Sequence, residues 1–166
     1  SASNVSLSNS VITSNEAGLL VYPRGGGDCI IDGNWWGYNI TEADLRPYIM
    51  SVSLNNWIVA EVTANDSDIQ IGDTVKFDLI LKLNDGSDLT DILPTRIVKA
   101  IADNTAFDPE SVEVVNNEAT ITGTVSGTGD ITISIDNQDF VFDVKGYNAY
   151  ITVDNVAIKL GETATV

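Results

Sequence analysis

The chain has 166 residues, of which 43% are hydrophobic and 19% are charged, a composition that predicts one or two folded domains and excludes a disordered protein. Its 24 acidic residues outnumber its 8 basic residues, and the net charge of −16 argues against a nucleic-acid partner or an anionic membrane surface. It has no histidine and one cysteine, Cys29, which excludes a Ser-His-Asp triad, a histidine-containing zinc site and an intrachain disulfide bond.

Short apolar segments punctuated by Ser and Asn fill the N-terminal part of the chain. They predict strands at residues 4–7, 11–13, 19–22 and 29–31. Recurrent asparagine at the bends between very short strands is typical of a parallel β-helix, in which each coil stacks on the next. We therefore predict that residues 1–56 form the last coils of a short parallel β-helix and its cap.

The segment 32–39, called the seam below, contains two of the three tryptophans. Short apolar segments punctuated by Ser and Asn precede it, and longer segments in which apolar and polar residues alternate follow it. Glycines flank the pair and permit sharp turns of the backbone. Adjacent residues on an extended chain point to opposite sides, so of Trp35 and Trp36 one is predicted to plug a core while the other covers an edge. Together with Trp57, they are predicted to form a structural cap that ends one all-β unit where another begins.

A short helix is predicted directly after the seam. Thr41 followed by Asp44 is typical of a helix N-terminus, where the two residues cap each other. Pro47 limits the helix to about one turn. We expect this helix to lie against the end of the coils, as capping elements do in solenoid proteins.

From Trp57 onward, apolar residues alternate with polar ones, the pattern of strands with one buried face. Strands are predicted at residues 57–64, 75–83, 97–98, 112–114, 119–125, 131–135 and 140–144. Because each sheet then has one apolar face, two sheets must pack together. Residues 57–147 are therefore predicted to form an immunoglobulin-like β-sandwich without its disulfide, which makes the whole chain all-β.

The end of the chain repeats an earlier segment. Residues 158–166 match 69–77 in residue type at nearly every position, at an offset of 89 residues, and this offset is the length of one sandwich domain. Residues 148–166 are therefore predicted to be the opening strands of a second, truncated repeat, and the chain to be a segment of a longer protein. Since unpaired strands expose costly backbone groups, we expect residues 150–166 to pair with the preceding sandwich or with a neighbouring copy.

Two sequence elements carry a resemblance to a known family. They are Asn-Trp-Trp-Gly-Tyr-Asn at 34–39 and Asn-Asn-Trp-Ile-Val at 55–59. In this order, the chain resembles the large adhesin-like surface proteins of methanogenic archaea, in which a right-handed parallel β-helix ends with such elements before immunoglobulin-like repeats. Gly33 and Tyr38 depart from the commoner Asn and Ser of that pattern. The resemblance covers residues 1–60, is only of domain type beyond them, and implies an extracellular, wall-attached protein that touches other cells or surfaces.

Several residues are candidates for binding. Trp35 and Trp36 could stack on sugar rings, as exposed aromatic residues do in carbohydrate-binding modules, although a packed plug is the favoured interpretation. Asp66, Asp68 and Asp73, with Asp103 and Asn104, could supply oxygens to calcium at a domain junction, although acidic turns are the simpler interpretation because no EF-hand spacing is present. Three sequons, at Asn4, Asn39 and Asn65, are candidate N-glycosylation sites if the protein is exported, although such sequons often arise by chance in a chain rich in Asn, Ser and Thr.

The sequence predicts a non-enzymatic segment of a cell-surface adhesin, in which the sandwich is a spacer. Its expected partner is a surface glycan or protein of another cell, with no cofactor except calcium as a candidate, no nucleic acid and no membrane span. The alternative is the non-catalytic, carbohydrate-binding end of a secreted β-helix enzyme that acts on polysaccharides, since β-helices also host such enzymes. Sparse basic residues and the lack of a recognisable acid pair argue against catalysis within this chain.

Overall fold

The computed structural model describes residues 4–13, 28–49 and 52–146. The strand predicted at 19–22 and the second repeat predicted at 148–166, including the pairing of 150–166, lie outside the described residues. The chain is all-β, as predicted, and its strands form a parallel N-terminal arrangement followed by an antiparallel sandwich.

Three extended segments near the N-terminus lie side by side in parallel. Strand β1 (Val5–Ser6) pairs with β2 (Cys29–Ile30), and Ile30 is bridged in parallel to Ser53. Partners lie 24 residues apart between the first two segments and 23 apart between the next two. We call the segments 4–13, 28–37 and 52–57 the stack. Parallel pairing at a near-constant spacing is what a β-helix requires, but its assignment to that class stays a prediction.

The predicted helix begins where the sequence indicates. Helix α1 spans Glu42–Leu45, and its capping box is complete, because the Thr41 side chain accepts from the Asp44 N–H while the Asp44 carboxylate accepts from the Thr41 N–H. Hydrogen bonding from the Thr41 side chain lowers the pKa of Asp44. Pro47 lies in the 3₁₀ turn Arg46–Tyr48 that follows and ends the helix. Leu45 is buried, so α1 covers the core of the stack.

Within the described residues, eight strands form the sandwich. They are β3 (Ile58–Ala64), β4 (Thr74–Leu83), β5 (Ile97–Ile101), β6 (Thr105–Phe107), β7 (Ser111–Glu113), β8 (Glu118–Val125), β9 (Gly129–Ile135) and β10 (Gln138–Val144). One sheet has the order β3-β4-β8-β6 and the other β10-β9-β5-β7, with antiparallel neighbours throughout. This matches the A-B-E-D and C-F-G sheets of an immunoglobulin-like fold, with β7 added beside β5.

The sequence prediction missed one strand, β6. Its three residues pair with the end of β8, and Thr105 and Phe107 face the core. A Cβ atom at Gly123 on β8 would lie 2.6 Å from the Phe107 ring, so glycine at this position allows β6 to pack closely. Three residues are too few for an alternating pattern to be recognised in a sequence.

The buried apolar residues form two clusters. The smaller one lies inside the stack and beneath α1, and consists of Cys29, Ile31, Trp36, Ile40, Leu45, Ile49, Val52 and Leu54. The larger one fills the space between the two sheets and is centred on Ile131, Ile133 and Ile135 of β9. Trp35 belongs to the larger cluster although it lies in the range predicted for the first unit. The division into 1–56 and 57–147 therefore stays a prediction, since one residue of the first range packs in the core of the second.

The described helices are short. None of them is long and apolar enough to cross a membrane.

Candidate functional site

The two adjacent tryptophans of the seam enter different cores. Trp35 is 0% exposed and packs in the sandwich core, whereas Trp36 is 8% exposed and packs in the core of the stack. Alternation on an extended backbone sends neighbouring side chains to opposite sides, which accounts for this arrangement. The sequence suggested that one tryptophan covers an edge; the structure instead buries both, because a core lies on each side of the seam.

Two glycines allow the seam to lie close against the first segment of the stack. Gly33 and Gly37 have φ values of 67° and 87°, a region that favours glycine. A Cβ atom would lie 3.1 Å from Asn9 Oδ1 at Gly33 and 3.0 Å from Thr13 Cγ2 at Gly37. The close approach and the backbone conformation therefore both require these glycines.

Asn34 is a buried polar residue whose side chain is fully engaged. It is 0% exposed, and its Oδ1 accepts a hydrogen bond from the Ser10 N–H at 3.1 Å. Its Nδ2 donates to the carbonyl oxygens of Leu7 and Ile31, each at 2.9 Å. One amide therefore joins the first segment of the stack to the second, and burial of its polar atoms is compensated.

The turn between β9 and β10 lies along the seam. Asp136 Oδ2 accepts from Trp35 Nε1 at 2.7 Å, and the Asn137 N–H donates to the Gly37 carbonyl at 2.9 Å. The Asn39 N–H donates to Gln138 Oε1 at 2.8 Å. Residues 136–138, called the docking turn below, thus bind the seam through successive positions. The sequence indicated only a hairpin turn here.

Arg96 neutralises the carboxylate of the docking turn. Its Nε donates to Asp136 Oδ2 at 2.9 Å, and its Nη2 forms an ion pair with Asp136 Oδ1. The Asp136 side chain is only 11% exposed. Two guanidinium contacts and the Trp35 N–H therefore hold a largely buried charge.

The seam also covers the edge of the first sandwich strand. Asn39 Nδ2 donates to the Ala60 carbonyl at 2.8 Å, and its Oδ1 accepts from the Ala60 N–H at 2.7 Å. The Ile58 N–H donates to the Asn34 carbonyl at 3.0 Å. These bonds occupy backbone groups on the outer edge of β3 that would otherwise be free to pair with another chain.

Trp57, the third predicted cap residue, lies beside the core of the stack and is partly buried. Its N–H donates to Asn84 Oδ1 and its carbonyl accepts from the Asn84 N–H, both at 2.9 Å. The turn after β4 therefore fixes its backbone. Within the described part of the chain, the buried Nε1 atoms of Trp36 and Trp57 have no hydrogen-bond partner.

Neither a protein-family model nor a curated protein matches the sequence. Among solved structures, the S-layer protein rSbsC is similar at 20% identity and a TM-score of 0.37, over 67% of this chain and 16% of that one. Domains 4–9 of the surface layer protein SbsC are similar at 17% identity and a TM-score of 0.39, over 63% of this chain and 16% of that one. The chain thus spans about a sixth of these structures, and at such TM-scores the likeness assigns neither family nor function.

The three candidate calcium ligands bind protein groups around the turn between β3 and β4. Asp66 Oδ1 accepts from the Asp68 N–H at 2.8 Å, and Asp73 Oδ2 accepts from the Gln70 N–H at 2.8 Å. Asp68 binds Lys145 Nζ at 2.7 Å, and this hydrogen bond lowers the pKa of Asp68. Among the described residues, no three acidic or cysteine side chains are grouped to hold a metal ion. The calcium site stays a prediction.

The three sequon asparagines are exposed but differ in what their side chains do. Asn4 Oδ1 accepts from the Asp28 N–H at 3.2 Å, and Asn65 Oδ1 accepts from the Lys76 N–H at 2.7 Å. Among contacts within the described residues, Nδ2, the atom that would carry a glycan, donates to a backbone carbonyl at Asn39 but not at Asn4 or Asn65. Glycosylation stays a prediction at all three positions, with Asn39 the most constrained.

The arrangement at the seam can join two folded units. The side-chain polar atoms of Asn34, Trp35 and Asn39 are hydrogen-bonded, and its two largest aromatic side chains are buried. The seam therefore resembles an interface inside a protein more than a surface that awaits a ligand.

Proposed function

We propose that this chain is a non-enzymatic segment of a cell-surface adhesin, in which the stack ends a parallel β-helix and the sandwich is the first spacer domain after it. The observation that carries the proposal is the burial of Trp35 and Trp36 in two different cores. A motif built this way joins two units, and this is the place that the same motif has in the adhesin-like proteins that the sequence resembles.

The proposal includes an extracellular location and adhesion to a glycan or protein on the surface of another cell. The resemblance of residues 1–60 supports both. The strongly acidic composition is compatible with them, because a net charge of −16 keeps the chain soluble and away from anionic membrane surfaces.

The location has a direct test. Antibodies raised against this chain are expected to label intact, unpermeabilised cells of the organism that encodes it. Labelling is measured by fluorescence before and after permeabilisation, with an antibody against a cytoplasmic protein as the control. Labelling that occurs only after permeabilisation would contradict a surface role.

The carbohydrate-binding alternative is weakened by the same burial, since a sugar ring needs an exposed aromatic face to stack on. Tyr38 is the aromatic residue of the seam that remains accessible, at 41% exposure. Any sugar-binding platform at the seam would therefore depend on Tyr38.

We expect Tyr38→Ala to leave binding to a glycan array unchanged and to leave the melting temperature unchanged, because the side chain is exposed. The matched control is Val141→Ala, the truncation of an exposed hydrophobic side chain outside the seam. Loss of a glycan signal in Tyr38→Ala alone, with an unchanged melting temperature, would favour the carbohydrate-binding alternative.

A further inference from the structure

Three consecutive residues of the docking turn bind three alternate residues of the seam. Asp136 binds Trp35, Asn137 binds Gly37, and Gln138 binds Asn39. The turn therefore contacts the seam at every second residue from Trp35 to Asn39. The contact thus has a defined register and does not depend on a single bond.

The charge at this contact is balanced within the sandwich. Arg96 and Asp136 both belong to the sandwich and pair with each other through two guanidinium nitrogens. The carboxylate is therefore oriented and neutralised by a residue of its own unit, independently of its bond to Trp35 Nε1. Docking the seam then adds one charge-assisted hydrogen bond without burying an unpaired charge.

Residues 55–58, where the stack ends and the sandwich begins, are each held by a backbone hydrogen bond. Asn55 N–H donates to Asp32 Oδ1, and the Asn56 carbonyl accepts from the Gly33 N–H. Trp57 is bound through both backbone groups by Asn84, and the Ile58 N–H donates to the Asn34 carbonyl. Connections between domains are ordinarily exposed and make few contacts, so this one lacks the usual properties of a hinge.

A third contact lies away from both the turn and the connection. The Asn9 side chain in the first segment of the stack donates to Asp91, in the loop between β4 and β5. The stack and the sandwich are therefore joined at the docking turn, at the edge of β3 through Asn39, and at the Asn9–Asp91 contact. Contacts at three separate places restrain both bending and rotation.

From these contacts we propose that the seam is a rigid joint, in which the docking turn latches the sandwich in one orientation on the stack. The two units then move as one body. A force applied to the stack is transmitted to the sandwich without a change in the angle between the two units. The proposal goes beyond the adhesin function and holds whether or not the chain binds another cell.

The test is the distance between spin labels on the two units of the full chain, measured by double electron–electron resonance. Labels are placed on Ala43→Cys in α1 and Thr122→Cys in β8, both exposed positions, while native Cys29 is buried. The otherwise unchanged chain is expected to give one narrow distance distribution. Asp136→Ala combined with Gln138→Ala is expected to broaden that distribution by about twofold or more, because relative motion is the default for domains without a strong interface.

Asp78→Ala is the matched control, since it removes an exposed carboxylate of the same sandwich that binds Lys76 and Thr120 away from the seam. Its distance distribution should stay narrow. Gln138→Ala alone leaves the Asp136–Arg96 pair and both cores in place, and should broaden the distribution to a smaller extent without lowering the melting temperature. A broad distance distribution in the chain that carries only the two label sites would overturn the rigid joint. So would a distribution that is no wider in Gln138→Ala and in the Asp136→Ala, Gln138→Ala double variant.

Discussion

Trp35→Ala is expected to lower the free energy of unfolding by about 3–5 kcal/mol, the usual cost of truncating a buried large aromatic side chain. Trp35 is fully buried, lies in the sandwich core although it comes from the seam, and donates its indole N–H to Asp136. The variant therefore leaves a cavity in the sandwich core and also removes one of three donors to the largely buried carboxylate of Asp136. Denaturant unfolding followed by circular dichroism measures the loss.

Two variants separate the parts of this effect. Trp35→Phe keeps most of the ring in the core but removes the N–H, so a smaller loss of about 1–3 kcal/mol is expected. Trp36→Ala truncates the neighbouring tryptophan, which faces the core of the stack, and a loss of about 3–5 kcal/mol is expected there. Amide exchange should then report opening of the stack in Trp36→Ala and of the sandwich in Trp35→Ala. A loss below about 1 kcal/mol in Trp35→Ala would show that Trp35 does not plug the sandwich core.

The strands of the sandwich could be predicted because their burial alternates along the sequence. In β8, Ala119, Ile121 and Val125 are buried while the threonines between them are exposed. The turn Asp136-Asn137 could also be predicted, because Asp and Asn are frequent in turns. Both tolerate a positive φ better than most residues, and Asp136 adopts a φ of 53°. Helix α1 was readable for a similar local reason, because both partners of its capping box lie three residues apart.

The contacts at the seam could not be predicted, because they join residues far apart in the sequence. Trp35 and Asp136 are separated by 101 residues, and Asn39 and Gln138 by 99. Each of these side chains has an adequate local explanation, as a cap tryptophan, a turn residue or a sequon. Only the packing of the sandwich brings the docking turn beside the seam. The same applies to Asn34, whose three bonds depend on how the first two segments of the stack align.

Asn34→Ala is expected to destabilise the stack by about 3 kcal/mol, since each buried polar group left without a partner costs about 1–3 kcal/mol and water can reach some of them. The variant removes the acceptor for the Ser10 N–H and both donors to the Leu7 and Ile31 carbonyls. No apolar contact compensates for these losses, because the methyl group of alanine reaches none of the three. Denaturant unfolding gives the size of the effect, and amide exchange at Ser10 shows where it acts.

Asn55→Ala is the matched control on the same stack. Asn55 is exposed, and its side chain donates to Asp32 at 2.7 Å in contact with solvent, so its loss is expected to cost about 0.5–1 kcal/mol. Both variants remove an asparagine that joins two segments of the stack, one with a buried amide that makes three hydrogen bonds and one with an exposed amide that makes one. If the two variants lose equal stability, the buried amide of Asn34 is not what holds the first segment to the second. A larger loss in Asn34→Ala, with faster exchange at Ser10, would mean that the seam stabilises the stack through the buried amide of Asn34.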